Sequence, residues 1–215
     1  MEIPFTQSDF LGVFGSYNNA IQPAQIISYL LGIVAVAVAI RGSNRAGTLV
    51  LSILAVFWAW TGLVYHIGFF SAINGAAYIF GGLFILQSLL LVYAAFRIPP
   101  LVFQPGSSAT TIVGTVFIVY SLMVYPVLNM LFGHHYPQMP VFGVTPCPMT
   151  IFTFGMLLWS TTQIPYYLIV IPTAWSFIGL SAAINLQIYE DFGLIVAGVL
   201  GALLIVINNR RLGRR

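Results

Sequence analysis

Residue types that bind soft metal ions are concentrated in one short segment of the chain. Residues 133–149 hold two of the three histidines, the only cysteine and two of the six methionines. Imidazole, thiolate and thioether groups suit copper, zinc and similar ions. The third histidine, His66, comes near the end of a long apolar stretch. The pattern therefore predicts that the protein binds or handles a transition-metal ion or a metal cofactor.

The predicted metal ligands are His66, His134, His135, Cys147, Met139 and Met149. Copper or zinc is the expected ion, and haem is an alternative because two histidines facing one cavity could bind its iron. Cys147 precedes Pro148, which suits the first turn of a helix, and a helix N-terminus favours thiolate. The competing interpretation is structural, with histidine and tyrosine in the headgroup layer and cysteine and methionine as packing residues.

Composition places this segment in a membrane protein. Of the 215 residues, 60% are hydrophobic and 5% are charged, against roughly 25% charged in a soluble domain. Such a chain cannot cover a water-facing surface, so lipid must surround it. The expected fold class is an all-α integral membrane protein, a single transmembrane bundle over residues 1–215. A nucleic-acid partner is excluded despite the net charge of +3, because the arginines flank apolar runs.

Long apolar runs predict about seven transmembrane helices. The predicted spans are 24–40, 46–70, 76–96, 110–132, 148–164, 166–184 and 192–208. Residues 8–21 carry apolar side chains on one helical face, which predicts an amphipathic helix lying in the membrane interface.

Charge gives these spans a direction. With seven spans, Arg41, Arg45, Arg97 and the arginines of the C-terminal tail share one side, and Glu2, Asp9, Glu190 and Asp191 share the other. The positive-inside rule then places the N-terminus outside and the C-terminus in the cytoplasm. Joining the spans on either side of residues 160–165 would move the tail outside, so charge favours a hairpin there. We interpret the Glu190–Asp191 pair as a solvated flank, with a cation-attracting mouth as the alternative.

Two short blocks of sequence recur within the apolar region. Residues 67–74 contain Ile-Gly followed by Ala-Ile-Asn, and residues 178–185 contain the same groups in the same order. Aligning the two blocks matches predicted spans two and three with predicted spans six and seven, in the same orientation. It therefore predicts a 3+1+3 parallel repeat, a plan that some transporters use.

Several motifs resemble an uncharacterised prokaryotic family of multi-pass membrane proteins, a domain of unknown function. The blocks that carry the resemblance are Pro4-Phe5-Thr6, Tyr65-His66, residues 71–78, Gly133-His134, and the motif Pro-Cys-Pro-x-Thr-Ile-Phe-Thr-Phe-Gly at residues 146–155. The resemblance covers almost the whole chain. It implies a bacterial or archaeal cytoplasmic (inner) membrane and brings no known activity.

Two further functions compete with metal binding. A small-solute carrier would gather carboxamides at mid-membrane, and the candidates are Asn74, Gln87, Asn129, Gln163 and Asn185. A non-catalytic subunit would pack against a membrane-protein partner or a second copy of this chain. An enzyme that acts through the Cys147 thiolate is a further alternative, which the sequence does not favour because it presents no base with an orienting group. For His66 the structural interpretation is a hydrogen bond to Asn129, Gln163 or Asn185 on a neighbouring helix.

Overall fold

Helices form about three quarters of the chain in the computed structural model, which describes residues 4–214. Within that range the α-helices are α1 (Gln7–Ala20), α2 (Ala24–Ile40), α3 (Asn44–Trp60), α4 (Ala77–Ala95), α5 (Ala109–Val119), α6 (Tyr125–Leu131), α7 (Pro146–Leu158), α8 (Tyr167–Leu186) and α9 (Phe192–Leu212). The described residues form no strand, and one isolated β-bridge pairs Phe103 with Ser160. The all-helical prediction is confirmed.

Tighter and wider turns extend several of these helices. α3 continues through a π-helical segment, Thr61–Phe69, and a 3₁₀ turn, Phe70–Ala72. A second π-helical segment, Tyr120–Val124, joins α5 to α6, and a 3₁₀ turn, Tyr189–Asp191, leads into α9. Segments of π-helix inside longer helices often occur at functional sites.

Five helical runs among the described residues are long and apolar enough to cross a membrane. They are Arg45–Ala72, Ala77–Ala95, Ala109–Leu131, Tyr167–Leu186 and Tyr189–Leu212. α1 and α2 pass the same test only as a pair bent by 86°, which raises the count to six. The seven predicted spans are therefore not confirmed. The difference lies in α7, whose 13 residues rise only about 20 Å, against a hydrocarbon core of about 30 Å.

α7 is the central helix of the bundle, and all of its residues are buried. The proline-rich segment before it also enters the protein. Ser28 Oγ donates to the Phe142 carbonyl (2.7 Å), and the Tyr17 hydroxyl donates to the Val144 carbonyl (2.6 Å). Irregular backbone is tolerated at membrane depth only where protein satisfies its polar groups in this way. Residues 133–147, which lie between two predicted spans, thus partly enter the protein.

The helix ends that carry arginine meet at one end of the bundle, which we call the arginine end. α3 and α4 are antiparallel, and Thr48 Oγ1 donates to the Ala95 carbonyl (3.0 Å), which puts Arg45 beside Arg97 along the bundle axis. The tail at 209–214 joins the same end through the contacts described next.

Asn209 fixes the C-terminal part of α9 to the connection between α7 and α8. Its side chain accepts from the Ile164 amide (2.9 Å) and donates to the Ile164 carbonyl (2.7 Å). In the same connection the Trp159 carbonyl accepts from the Gln104 amide (2.9 Å), in the loop that follows Arg97. Helices α7 and α8 are separate elements, ending at Leu158 and beginning at Tyr167.

The opposite end, which we call the acidic end, holds the described carboxylates: Asp9 on α1 and Glu190 with Asp191 at the start of α9. Glu2 lies outside the described residues. The grouping of charges by helix end therefore agrees with the sequence pattern within residues 4–214.

α1 covers the acidic end of the bundle. Thr6 and Asp9 form a reciprocal capping box at its N-terminus. Its apolar face packs on aromatic side chains of the first π-helical segment and the turn after it, with Phe14 stacked on Tyr65 (ring centroids 5.4 Å apart). The helix is present as predicted, but protein buries its apolar face, including Tyr17.

Two glycines bring α5 and α7 into close contact. A Cβ added to Gly114 would lie 2.8 Å from the Gly155 carbonyl oxygen, and one added to Gly155 would lie 2.9 Å from the Gly114 carbonyl oxygen. Only glycine allows the two backbones to approach this closely. The contact fixes the C-terminal part of α7 against α5.

The two halves of the predicted repeat differ in local structure. Residues 67–69 lie in a π-helical segment, whereas residues 178–185 lie in the regular helix α8. The parallel repeat stays a prediction.

Candidate functional site

Four of the six predicted metal ligands lie apart from one another. His134 is buried and its Nδ1 lies 2.8 Å from Glu190 Oε1, so it already has a partner. His135 is exposed. Met149 is buried in the central core, and Met139 packs beside α1. These side chains do not converge on one point.

His66 and Cys147 do line a common cavity. Even there, a metal-binding set is incomplete: in the stretch from residue 4 to residue 214, no group of three or more histidine, cysteine, aspartate or glutamate side chains could hold a metal ion. The structure therefore brings together two of the six predicted ligands and leaves the other four elsewhere.

The common cavity lies at the acidic end, and we call it the acidic-end cavity. Its volume is about 540 Å³, which falls in the range of small-molecule sites, roughly 300–1,000 Å³. Most of its wall is apolar and aromatic, with Phe10, Phe14, Phe70, Phe80 and Ile178 among the lining residues. α8 supplies six of the lining residues, and α1 and the first π-helical segment supply two each.

One end of the cavity is polar. The lining residues there are Tyr65, His66, Cys147, Trp175 and Asp191. The Tyr125 hydroxyl donates to Asp191 Oδ1, and the Cys147 thiol adjoins the same carboxyl group. Five chain segments thus contribute to one polar cluster beside an aromatic chamber.

His66 is fully buried, yet neither of its ring nitrogens has a hydrogen-bond partner. Its neighbours are aromatic rings, and the nearest centroids are those of Phe84 (4.6 Å), Trp175 (5.1 Å) and Tyr65 (5.1 Å). Trp175 Nε1 is also buried with no hydrogen-bond partner within bonding distance, and the Cys147 sulfur lies beside it. Each such unmet polar group costs about 1–3 kcal/mol.

The expected carboxamide partners of His66 are engaged elsewhere, so that expectation is wrong. The Asn129 amide donates to the carbonyls of Tyr125 and Pro140 (3.2 and 3.4 Å). Gln163 donates to the Asn209 carbonyl at the arginine end. Asn185 is exposed and bonds within α8.

The same contacts bear on the predicted carboxamide cavity of a solute carrier. Of its five candidate residues, only Asn74 lines the acidic-end cavity. Gln87 donates to the Leu168 carbonyl (2.9 Å) inside the bundle. The carboxamides are therefore dispersed, and they do not form a polar chamber at mid-membrane.

The π-helical segments position the polar cluster. Gly62 and Gly81 let the first segment approach α4, since a Cβ on either would lie 2.9 Å from the other's carbonyl oxygen. This approach sets His66 against Phe84. The second segment precedes Tyr125, whose hydroxyl reaches Asp191.

Glu190 and Asp191 are both buried, with 0% and 3% of their surface exposed. The interpretation of this pair as a solvated flank is wrong. Glu190 contacts His134, its backbone carbonyl accepts from the Tyr120 hydroxyl (2.7 Å), and its Oε2 has no partner. Sequence reasoning could have found the pair from its position directly before an apolar span, where buried carboxylates are functional candidates.

A second cavity, of about 680 Å³, lies at the bend between α1 and α2. Its polar lining groups are already paired: Ser28 donates to the Phe142 carbonyl, and Trp60 Nε1 donates to the Tyr17 hydroxyl (2.8 Å). The acidic-end cavity differs because it retains unpaired buried polar atoms. It is therefore the stronger candidate for a ligand site.

Comparison with known proteins places the chain in a family. The family model named DUF6064, described as a family of unknown function, matches residues 7–215. Neither a curated protein nor a solved structure matches the chain. The match agrees with the resemblance to an uncharacterised family over almost the whole sequence. This protein belongs to the DUF6064 family, whose function is unknown.

Proposed function

We propose that the protein is a membrane-embedded binding protein for a small, largely apolar molecule that carries one polar group. The acidic-end cavity is the binding site. The observation that carries the proposal is the set of unpaired buried nitrogens, those of His66 and Trp175, on the wall of a 540 Å³ chamber.

The chemistry of the wall supports a ligand of this kind. Ligand sites are mostly apolar, with a few polar groups that fix the orientation of the bound molecule. Here the aromatic side chains would bury the body of the ligand. Trp175 Nε1 is a donor, and an uncharged imidazole at His66 offers one donor and one acceptor. A polar group on the ligand would pair with these atoms and remove the cost of leaving them unmet.

The cavity reaches the molecular surface, so a ligand has a way in. Three of its lining residues, Pro4, Phe177 and Ser181, are exposed. Phe177 and Ser181 lie on α8, one of the helices apolar enough to cross a membrane. This position supports entry from the lipid as well as from the aqueous side.

Quenching of Trp175 fluorescence by a bromine-bearing ligand tests the proposal, because Trp175 lies on the cavity wall. With purified protein in detergent micelles, we expect bromophenylbutanol to quench part of the emission saturably. Ala182→Phe, which fills the cavity, should remove the saturable part. Ile184→Phe on the same helix is the control, because Ile184 is 59% exposed and is not a lining residue. Quenching that never saturates, or that Ala182→Phe leaves unchanged, would overturn the proposal.

The orientation of the protein follows the charges. We infer that the arginine end faces the cytoplasm of a bacterial or archaeal cell and that the acidic end faces outward. The buried segment before α7 and α7 together would make the seventh crossing. The cavity would then open toward the outer side.

Metal binding is the second candidate function, because His66 and Cys147 line one cavity, although with Asp191 they do not form a ready-made metal site. Metal analysis of protein purified from cells grown with added copper and zinc tests it. Stoichiometric metal that is lost in both His66→Ala and Cys147→Ser would support a metal site. Metal-free protein that still binds bromophenylbutanol would reject it.

A further inference from the structure

Asp191 is the only charged side chain on the wall of the acidic-end cavity, within the described residues. It is 3% exposed and has no cationic partner there. The histidine that contacts this acidic turn is His134, and it is paired with Glu190. The described arginines flank the other end of the bundle. The site therefore has one carboxyl group and no resident positive charge to balance it.

Two features of the fold favour the ionised form of this carboxyl group. The Tyr125 hydroxyl donates to Oδ1, and Asp191 is the N-cap residue of α9, a helix of 21 residues, although its side chain makes no hydrogen bond to the helix backbone. The N-terminal end of a helix carries a partial positive charge that stabilises an anion. Burial without a counter-ion opposes ionisation. A positively charged group on the ligand would supply the missing counter-ion and lower the cost of burying the carboxylate.

The rest of the wall also suits a cation. Tyr65 and Trp175 line the same end of the cavity as Asp191, and Phe70 and Phe80 lie beside them. Aromatic faces attract a cation within about 6 Å through the ring quadrupole, most strongly for tryptophan. An uncharged His66 can accept a hydrogen bond from an ammonium group. A negatively charged ligand would find no lysine or arginine on this wall and would meet a carboxylate.

We propose that the molecule bound in the acidic-end cavity is a protonated lipophilic amine. Its ammonium group pairs with Asp191 and donates to His66, and its apolar body occupies the aromatic chamber. This inference rests on the proposed function and adds the charge class of the ligand to it.

A matched pair of probes separates the two proposals. Bromophenylbutylamine and bromophenylbutanol have the same body and nearly the same size, and at neutral pH only the amine is charged. We expect the amine to bind the wild-type protein at least tenfold more tightly, with both affinities taken from saturable Trp175 quenching. Asp191→Asn should weaken amine binding at least tenfold and change alcohol binding by less than twofold.

Asp9→Asn is the control variant, because Asp9 is an exposed carboxylate at the same end that does not line the cavity. It should leave both affinities unchanged. Equal binding of the two probes to wild type overturns the charge assignment and leaves the proposed function standing, whereas saturable binding of neither probe overturns both. If Asp191→Asn does not fold, the wild-type preference alone decides. If a folded Asp191→Asn protein loses affinity for both probes equally, that result also contradicts the assignment of an amine ligand.

Discussion

Replacing Gly155 with alanine tests the contact that fixes α7 in the centre of the bundle. The added Cβ would lie 2.9 Å from the Gly114 carbonyl oxygen and 2.8 Å from Ile118 Cγ1. The carbonyl belongs to the backbone and cannot rotate away, so α5 must move outward. Overpacking of this kind costs about 1–3 kcal/mol, and alanine recovers about 0.5–1 kcal/mol of helix propensity. We expect the free energy of unfolding to fall by about 1–2 kcal/mol.

The assay is reversible unfolding of the purified protein in mixed micelles of increasing SDS content. Gly82→Ala is the matched control, because an added Cβ there meets nothing within 4 Å. We expect that variant to be as stable as wild type or slightly more so. If Gly155→Ala and Gly82→Ala unfold at the same SDS content, the close contact between α5 and α7 is refuted.

Two other predictions concern the arginine end and the direction of the chain. Asn209→Ala removes both hydrogen bonds to Ile164 and should cost about 2–3 kcal/mol in SDS unfolding; a stability equal to that of Asn208→Ala would contradict it. With a membrane-impermeant maleimide on intact cells, the exposed substitution His135→Cys should be labelled and Arg214→Cys should not. Buried Cys147 should stay unreacted in both, and labelling of both introduced cysteines would reject the proposed orientation.

The sequence located the helices well because lipid imposes a simple rule on their composition. The predicted span 24–40 coincides with α2, and the predicted span 76–96 differs from α4 by one residue at each end. The rule fails for α7. An apolar residue such as Ile151 is equally suited to lipid and to a protein core, so composition does not separate a lipid-facing helix from one enclosed by its neighbours.

The site was only partly predictable for a related reason. Residue chemistry singled out His66 and Cys147, and the fold does place them on one cavity. No pattern of residues indicates that Trp175 joins them with an unpaired nitrogen, since that depends on the packing of α8 against the π-helical segment. Asp191 was noticed but expected in water, because nothing local reveals that it is buried and bonded to the Tyr125 hydroxyl.

The enclosure of α7 has a consequence for how the protein enters the membrane during synthesis. A helix of 13 residues with prolines before and within its first turn is too short to partition into the bilayer by itself. Its burial partners include α9, which the ribosome makes later; the Phe154 ring, for example, occupies the space beside Gly201. Stable insertion of α7 and the segment before it therefore has to wait for the last helix. A chain truncated before residue 192 should leave α7 outside the hydrocarbon region.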